Sequence, residues 1–377
     1  MNVATDNPPA AQRRRSREFI DRVIGAHAEA FDLEQEVPRG VFDALAREGV
    51  LGALVPAEYG GTGLDPLAVG LLCEDMGRAS ASLLSLITVH TMVSLAIARW
   101  GSAAQRTRWL PPLARGETLA AFALTEPDVG SDVKSVATRV ERKDGGFVIT
   151  GTKKWISFGQ VAGLFFVVGN CEGKLAAFLV ERDTPGLVVE PIANMLGFRA
   201  AMLAEVRMNE CVVAGDSMVG SLDFGFSQIV GSVLDHGRYC IAWGSVGLAQ
   251  ACLDASLDYS EQRTQFGRAL KDHQLVQRMI ADMIVNTRAA RLLCQDAARA
   301  RAEGGPDMII GAAVAKYFSG TIVEKLASDA VQIHGANGCS SSYPVQRYLR
   351  DAKIMNIIEG SAQMQQMMIA QHAYQRW

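Results

Sequence analysis

The sequence lacks a charge excess of either sign: 37 Lys and Arg face 40 Asp and Glu, a net charge of −3. A dedicated nucleic-acid binder needs a basic surplus to neutralise phosphates, so that class is set aside. The seven cysteines, at 73, 171, 211, 240, 252, 294 and 339, are odd in number and form no CxxC pair. A disulfide framework and a zinc ribbon both need what is missing. Mostly buried free thiols in a reducing cytoplasm are the expectation. No HExxH, GxSxG or GxxxxGK[ST] occurs, so zinc hydrolysis, serine hydrolysis and phosphate-loop chemistry have no starting point. Nor does a GxGxxG follow a strand, which removes the support for a dinucleotide-binding fold. No uninterrupted apolar run reaches about 18 residues, so no membrane partner is expected. Arg13, Arg14 and Arg15 are followed by Arg17, Glu18, Asp21 and Arg22 rather than by the apolar core of a signal peptide. A frayed tail over residues 1–16, running into a first helix, is expected instead.

What is present suits a compact chain of two or three domains: 377 residues, 49% hydrophobic and 20% charged. In the first third Phe19, Ile20, Val23 and Ile24, then Val41, Phe42, Leu45 and Ala46, fall at helical spacing. Residues 66–76 and 82–99 read as two further helices, the second nearly all apolar, and Pro111 and Pro112 mark a turn. The middle third changes period. Short strands are expected over 136–142, 147–149, 164–168, 176–180, 187–189 and 204–208, the second following a Gly145–Gly146 turn. Strands so spaced, with no helices between them, point to a small β-barrel or sandwich. The last third returns to helices over 226–262, 274–303, 308–333 and 351–358, broken at Glu359–Gly360 and resuming over 361–375. The fold class expected is α+β multidomain: a helical domain over 1–119, a β-domain over 120–222 and a helical bundle over 223–377.

Four stretches can carry chemistry. Residues 124–132, LTEPDVGSD, offer hydroxyls and backbone amides for a polar ring, or form an ordinary loop of Asx-type turns. In KKWISFG, residues 153–159, Trp155 beside Ser157 can stack on an aromatic cofactor or belong to the core. Arg263, in EQRTQFG over 261–267, can meet a phosphate or serve as a solvated helix-end cation. In RDAKIMNIIEGS, residues 350–361, an apolar stripe runs into Glu359 at a helix break made by Gly360 and Ser361. Burial there would raise the carboxyl pKa and make a base for neutral pH; a surface Glu at a turn is the plain alternative.

Together TEPDVGSD, KWIS, RTQFG, DHQ, QIHGANG, RDAK and IIEGS resemble, in this order and spacing, the acyl-CoA dehydrogenase family of flavoproteins, from about residue 17 to the C-terminus. The resemblance implies an N-terminal α-domain, a middle β-domain and a C-terminal four-helix bundle, with FAD between the last two and no metal. Thr125 and Ser131 would touch the flavin or the substrate's pantetheine arm, and Trp155 and Ser157 would flank the isoalloxazine. Arg263, Phe266 and Gln274 would reach the FAD of a neighbouring subunit, so a dimer or tetramer is implied. Gln332, Gly335 and Gly338 would line the adenine and pyrophosphate region, with Ser361 and Gln363 nearby. Asp235, Arg238 and Gly360 would contact the substrate, and Glu359 would be the catalytic base. By the same resemblance, Glu359 takes the α-proton of an acyl thioester while a hydride leaves the β-carbon for flavin N5. The enolate is held by the Glu359 backbone N–H and a ribityl hydroxyl. Electrons then pass to an electron-transfer flavoprotein or another acceptor.

Some branches of that family carry the base near residue 237, which here is Gly237, leaving Glu359. The glutaryl branch needs an arginine near residue 83, where this chain has Leu83 and Leu84. The segments 234–244 and 331–339 resemble a bacterial natural-product branch that oxidises a short polar unit on an acyl carrier protein, as in making methoxymalonyl polyketide extender units. A conventional short-chain acyl-CoA dehydrogenase is the alternative, with a flavin oxidase and a non-catalytic homologue behind it. His236 and His334 either line a site for a hydroxylated substrate or are core histidines.

Overall fold

Apolar residues at helical spacing draw the first third into six helices: α1 Pro8–Val23, α2 Ala28–Glu34, α3 Arg39–Arg47, α4 Pro66–Ala79, α5 Ala81–Trp100 and α6 Ala103–Ala114. The computed structural model describes residues 8–223, 225–305 and 307–375. The first seven residues of the expected tail lie outside them, and the rest of it is helical. Arg13 works within the fold: its Nη2 lies 3.2 Å from Glu74 on α4. Local signals set the helix starts. Asp65 accepts from Ala68 N ahead of Pro66, and Ser102 with Gln105 forms a reciprocal capping box. Pro111 and Pro112 do not make the expected turn but sit inside α6. The capped start and the burial of Trp109, Leu110 and Leu113 outweigh the two lost backbone donors.

The middle of the chain forms one sheet: β1 Ala120–Ala123, β2 Arg139–Lys143, β3 Gly146–Ile156, β4 Leu164–Cys171, β5 Lys174–Glu181, β6 Leu187–Pro191, β7 Ala204–Ala214 and β8 Met218–Val219. The order is β6-β7-β3-β2-β4-β5-β8, with β1 also on β4. The β2–β3 hairpin forms as expected, but β4 pairs in parallel with both β1 and β2. Its two faces explain its unbroken apolar run. Phe165 and Val167 enter a core with Ile149, Phe178 and Val206. Leu164, Phe166 and Val168 pack with Val93, Ile97 and Leu110 of the helical layer. Because β1 to β5 and β7 all send side chains into that first core, the sheet curls around it.

A π-helical turn, Gly225–Val230, leads into α7 Gly231–Gln262. A two-strand hairpin follows, β9 Thr264–Gln265 and β10 Arg268–Ala269, then α8 Gln274–Glu303, α9 Asp307–His334, α10 Val345–Ile357 and α11 Ala362–Gln375. Helix α9 packs against α7, α8, α10 and α11. Helix α10 starts at Val345, ahead of the expected 351, because Val345 and Arg347 are buried. The polar look of this segment conceals that role: Arg347 pairs with Glu29 and Arg350 with Asp32, both on α2. Helices α4 and α7 run so close that a Cβ on Gly77 would overlap the Gly244 backbone. Two helices, Ala81–Trp100 and Gln228–Gln262, are long and apolar enough to cross a membrane, yet 89% and 78% of their most apolar windows are buried inside the protein. All seven cysteines are free, six of them buried and Cys339 exposed.

Candidate active site

The break between α10 and α11 places one carboxylate in an enclosed setting. Glu359 and Gly360 both take left-handed backbone conformations, φ +54° and +86°. Two such residues in succession end α10 abruptly and turn the Glu359 side chain back onto α7. There it meets Gly237: a Cβ at that position would collide with the Glu359 carboxylate and lie 3.1 Å from Met92. Glu359 Oε2 is fully enclosed and accepts no hydrogen bond. Burial pushes the carboxyl up to about 7, against the pull of Arg238, while Cys240 pushes further up and Lys316 and His236 pull down. The Glu359 N–H donates to no described protein group. Further buried polar atoms nearby also lack partners: Arg238 Nε, Asp235 Oδ1 and Gln365 Oε1. Orphaned polar atoms gathered around a raised carboxyl mark a site built for a polar ligand. If the glycine is there to admit the carboxylate, Gly237→Ala displaces the base. An activity loss on the order of 10²-fold is expected from such a misplacement, measured as the anaerobic reduction rate of bound flavin, with the melting temperature showing that the fold survives.

A second half of the site lies on the β-domain. The loop after β1 and the end of β3 are tied together by a buried ion pair. Lys153, 0% exposed, donates to Glu126 Oε1 at 2.8 Å and to Leu124 O at 2.9 Å. Glu126 also accepts from Ala137 N, Thr138 N and Thr138 Oγ1. Burial pushes its carboxyl up, but the bonds from Lys153, Thr138 and Ala137 outweigh this and hold it below its usual value. With the interior of the loop so fixed, Lys154 N donates to Thr125 O at 2.8 Å, and Trp155 turns outward, 46% exposed, at φ +63°. The hydroxyls of Thr125, Ser131 and Ser157 bond to no described protein group. The half-exposed indole, with Lys154 Nζ 5.1 Å from its ring centre, stands beside unpaired hydroxyls and fits a flat heteroaromatic cofactor with polar edges.

The two halves are joined through the chain. Phe158 N donates to Ala201 O at 2.8 Å, and Phe198 N donates to Asp351 Oδ1 on α10 at 2.7 Å. Arg350 also donates to Leu196 O at 3.0 Å. Other expected residues lie elsewhere. Arg263, Phe266 and Gln274 are exposed around the β9–β10 hairpin, Phe266 to 95%. Gln332, Gly335 and Gln363 are exposed, Ser361 is half-buried and Gly338 is buried. Asp235 is buried and pairs with Arg301, and Arg238 is half-buried. His334 is a core histidine, bonded to Ala330 O at 2.8 Å and stacked on Tyr259. His236 lies 2.9 Å from Thr91 Oγ1 and 3.3 Å from Cys240 Sγ.

Sequence reasoning missed Glu126, Lys153, Lys316 and Gln365. Glu126 lies in the LTEPDVGSD stretch and Lys153 in KKWISFG, but neither stretch shows that the two pair. Lys316 carried a usable signal, because it shares the buried stripe of α9 with Ala312, Ser319 and Val323.

Models of the N-terminal, middle and C-terminal domains of acyl-CoA dehydrogenase match residues 10–117, 121–211 and 223–374. The chain belongs to the acyl-CoA dehydrogenase family. Members are FAD-dependent oxidoreductases that dehydrogenate acyl thioesters, and the open Trp155 edge fits that cofactor. The chain is 34% identical to the probable acyl-CoA dehydrogenase YngJ of Bacillus subtilis (strain 168), over 98% of this chain and 99% of that protein. It is 35% identical to the glutaryl-CoA dehydrogenase of Desulfococcus multivorans, over 94% and 93%. Among solved structures it resembles FkbI, of the biosynthesis of the methoxymalonyl extender unit of the Fk520 polyketide, at TM-score 0.89 and 33% identity over 95% and 99%. The family fold is the one described above: helical domain, sheet domain, helical domain.

Proposed function

We propose that this chain dehydrogenates a short polar acyl unit held as a thioester on an acyl carrier protein, with Glu359 as the base. The observation that carries the chemistry is the enclosed Glu359 carboxylate with a pKa near 7. A thioester α-proton is weakly acidic, and a base titrating near neutrality combines availability with driving force. The unpaired Glu359 N–H is a donor for the thioester oxygen, where negative charge develops. Arg238 and Lys316 face the carboxylate and keep it ionisable despite burial. Bound FAD supplies the acceptor for the β-hydride. Trp155, Ser157 and Thr125 would hold its ring, with Ser131, Asp235, Arg238 and Gly360 along the substrate. Gln332, Gly335, Gly338, Ser361 and Gln363 would serve the adenine and pyrophosphate end. An electron-transfer flavoprotein, or another acceptor, completes the turnover.

Two observations support the polar acyl unit. Thr91, His236 and Cys240 form a buried polar line on the same side of α7 as the groups that face Glu359. FkbI serves the assembly of a short polar extender unit. Leu83 and Leu84 are fully buried in the core, so no cation stands there for a distal carboxylate. The acyl-CoA and glutaryl-CoA relatives favour a second reading, in which the carrier is coenzyme A. A second copy of the chain would cover Phe266, Arg263 and Gln274 and the exposed Leu275, Val285 and Leu292 of α8. The test loads one hydroxylated short acyl group on an acyl carrier protein and on coenzyme A and titrates each anaerobically. Flavin bleaching by the carrier-protein thioester at far lower concentration supports the proposal. Equal or better bleaching by the coenzyme A thioester overturns the carrier assignment.

A further inference from the structure

We propose that Lys316 is a positioning residue for the base: together with Gln365 it clamps the Glu359–Gly360 peptide, and its buried positive charge shares in setting the pH at which Glu359 works. The inference rests on the reading of Glu359 as the base. Lys316 lies on α9, opposite the helix break, and is 1% exposed. It makes no ion pair within 4 Å among the described residues. Its ammonium donates instead to backbone carbonyls, Gly360 O at 2.7 Å and Asn356 O at 3.3 Å. Gln365, on α11 and 0% exposed, donates to the same Gly360 O at 3.1 Å and to Glu359 O at 3.4 Å. Two buried donors from two helices therefore converge on the short left-handed peptide that aims the base.

A bare buried ammonium is costly and needs a compensating partner. The carbonyls at the end of α10 carry the negative end of the helix dipole and supply part of it. The Glu359 carboxylate, more than 4 Å away, adds a longer-range attraction. Burial lowers the Lys316 ammonium to about 8, Glu359 pulls it back up, and Arg238 pushes it down. The groups facing Glu359 are Arg238, His236 and Cys240 from α7 and Lys316 from α9; Gln365 from α11 does not titrate. Among the described residues, Arg238 pulls the carboxyl down most, with Lys316 and His236 after it. A purely structural lysine would hold the peptide without moving the titration of its neighbour. The present arrangement does both.

The experiment measures anaerobic flavin reduction in the holoenzyme against pH, using whichever thioester reduces the wild type. Exchange of the substrate α-proton with solvent deuterium, which needs the base alone, is the second readout. Lys316→Met removes the charge, so Glu359 keeps its proton to higher pH. The acid limb should move up by about one pH unit in both readouts, with a lower plateau. Lys316→Arg should keep the limb near the wild-type position. Gln365→Leu should lower the plateau and leave the limb in place. Lys316→Gln, which keeps a donor but not the charge, repeats the limb prediction should the methionine variant fold poorly. A limb that stays put in the charge-removing variants overturns the proposal, whatever the plateau does. Failure of the underlying reading looks different: Glu359→Gln would then still reduce its flavin.

Discussion

Glu359→Gln is expected to purify with its flavin and to lose reduction by substrate on the order of 10³-fold, the range that a lost general base costs. The substitution keeps size and shape against Gly237 and removes only the basic oxygen. Flavin content from the visible spectrum and the anaerobic reduction rate check both halves. The same change should stabilise the fold in a pH-dependent way. The folded carboxyl titrates near 7, above its ordinary 4.5, so folding favours the protonated form. That contribution is complete below about pH 4.5 and is lost as pH rises through 7. Glutamine mimics the protonated form at every pH. Its gain in melting temperature over wild type should therefore be small at pH 5 and largest above pH 7. An equal gain at both would contradict the burial argument. A base held ionised in an enclosed site costs stability, and removing the charge releases it.

The second large effect concerns the Glu126–Lys153 pair. Breaking it from either side leaves an unpaired charge in the sheet domain. Lys153→Met or Glu126→Ala should cost about 3–5 kcal/mol, read from denaturant unfolding. The pair fixes the loop that bears Thr125 and the strand end that bears Trp155, so both variants should also purify with less than one flavin per chain. The double variant Glu126→Ala with Lys153→Met should lose less than the sum of the two single losses, because neither charge is then left alone. Single variants with full flavin and unchanged stability would show that the pair anchors nothing.

These residues show what a sequence displays and what it withholds. The order of helices, then strands, then helices was legible because apolar periodicity is a local property. The break at Glu359–Gly360 was legible for the same reason: a stripe, a glycine and a serine stand next to one another. Glu359 as an enclosed group was not. Its burial depends on Gly237, more than a hundred residues earlier in the chain, and on Lys316 from a third helix. The parallel pairing of β4 with β1 and β2 was hidden because an apolar run does not name its partners. The pairing of Glu126 with Lys153 was hidden because the two lie on separate segments, the loop after β1 and the end of β3. Arg347 disguised the first turn of α10 in the same way, by pairing with Glu29 on α2. Charges that satisfy one another across the fold are where local reading fails, and here they support the functional loops.

The most direct test of the account is the anaerobic visible spectrum of the purified wild-type protein, titrated with short acyl thioesters and compared with Glu359→Gln. The account predicts a yellow protein whose flavin band bleaches with at least one thioester, and a variant equally yellow that does not bleach. Bleaching at the same rate in the variant would contradict the role of Glu359, and a colourless wild type unable to take up FAD would contradict the account at its root.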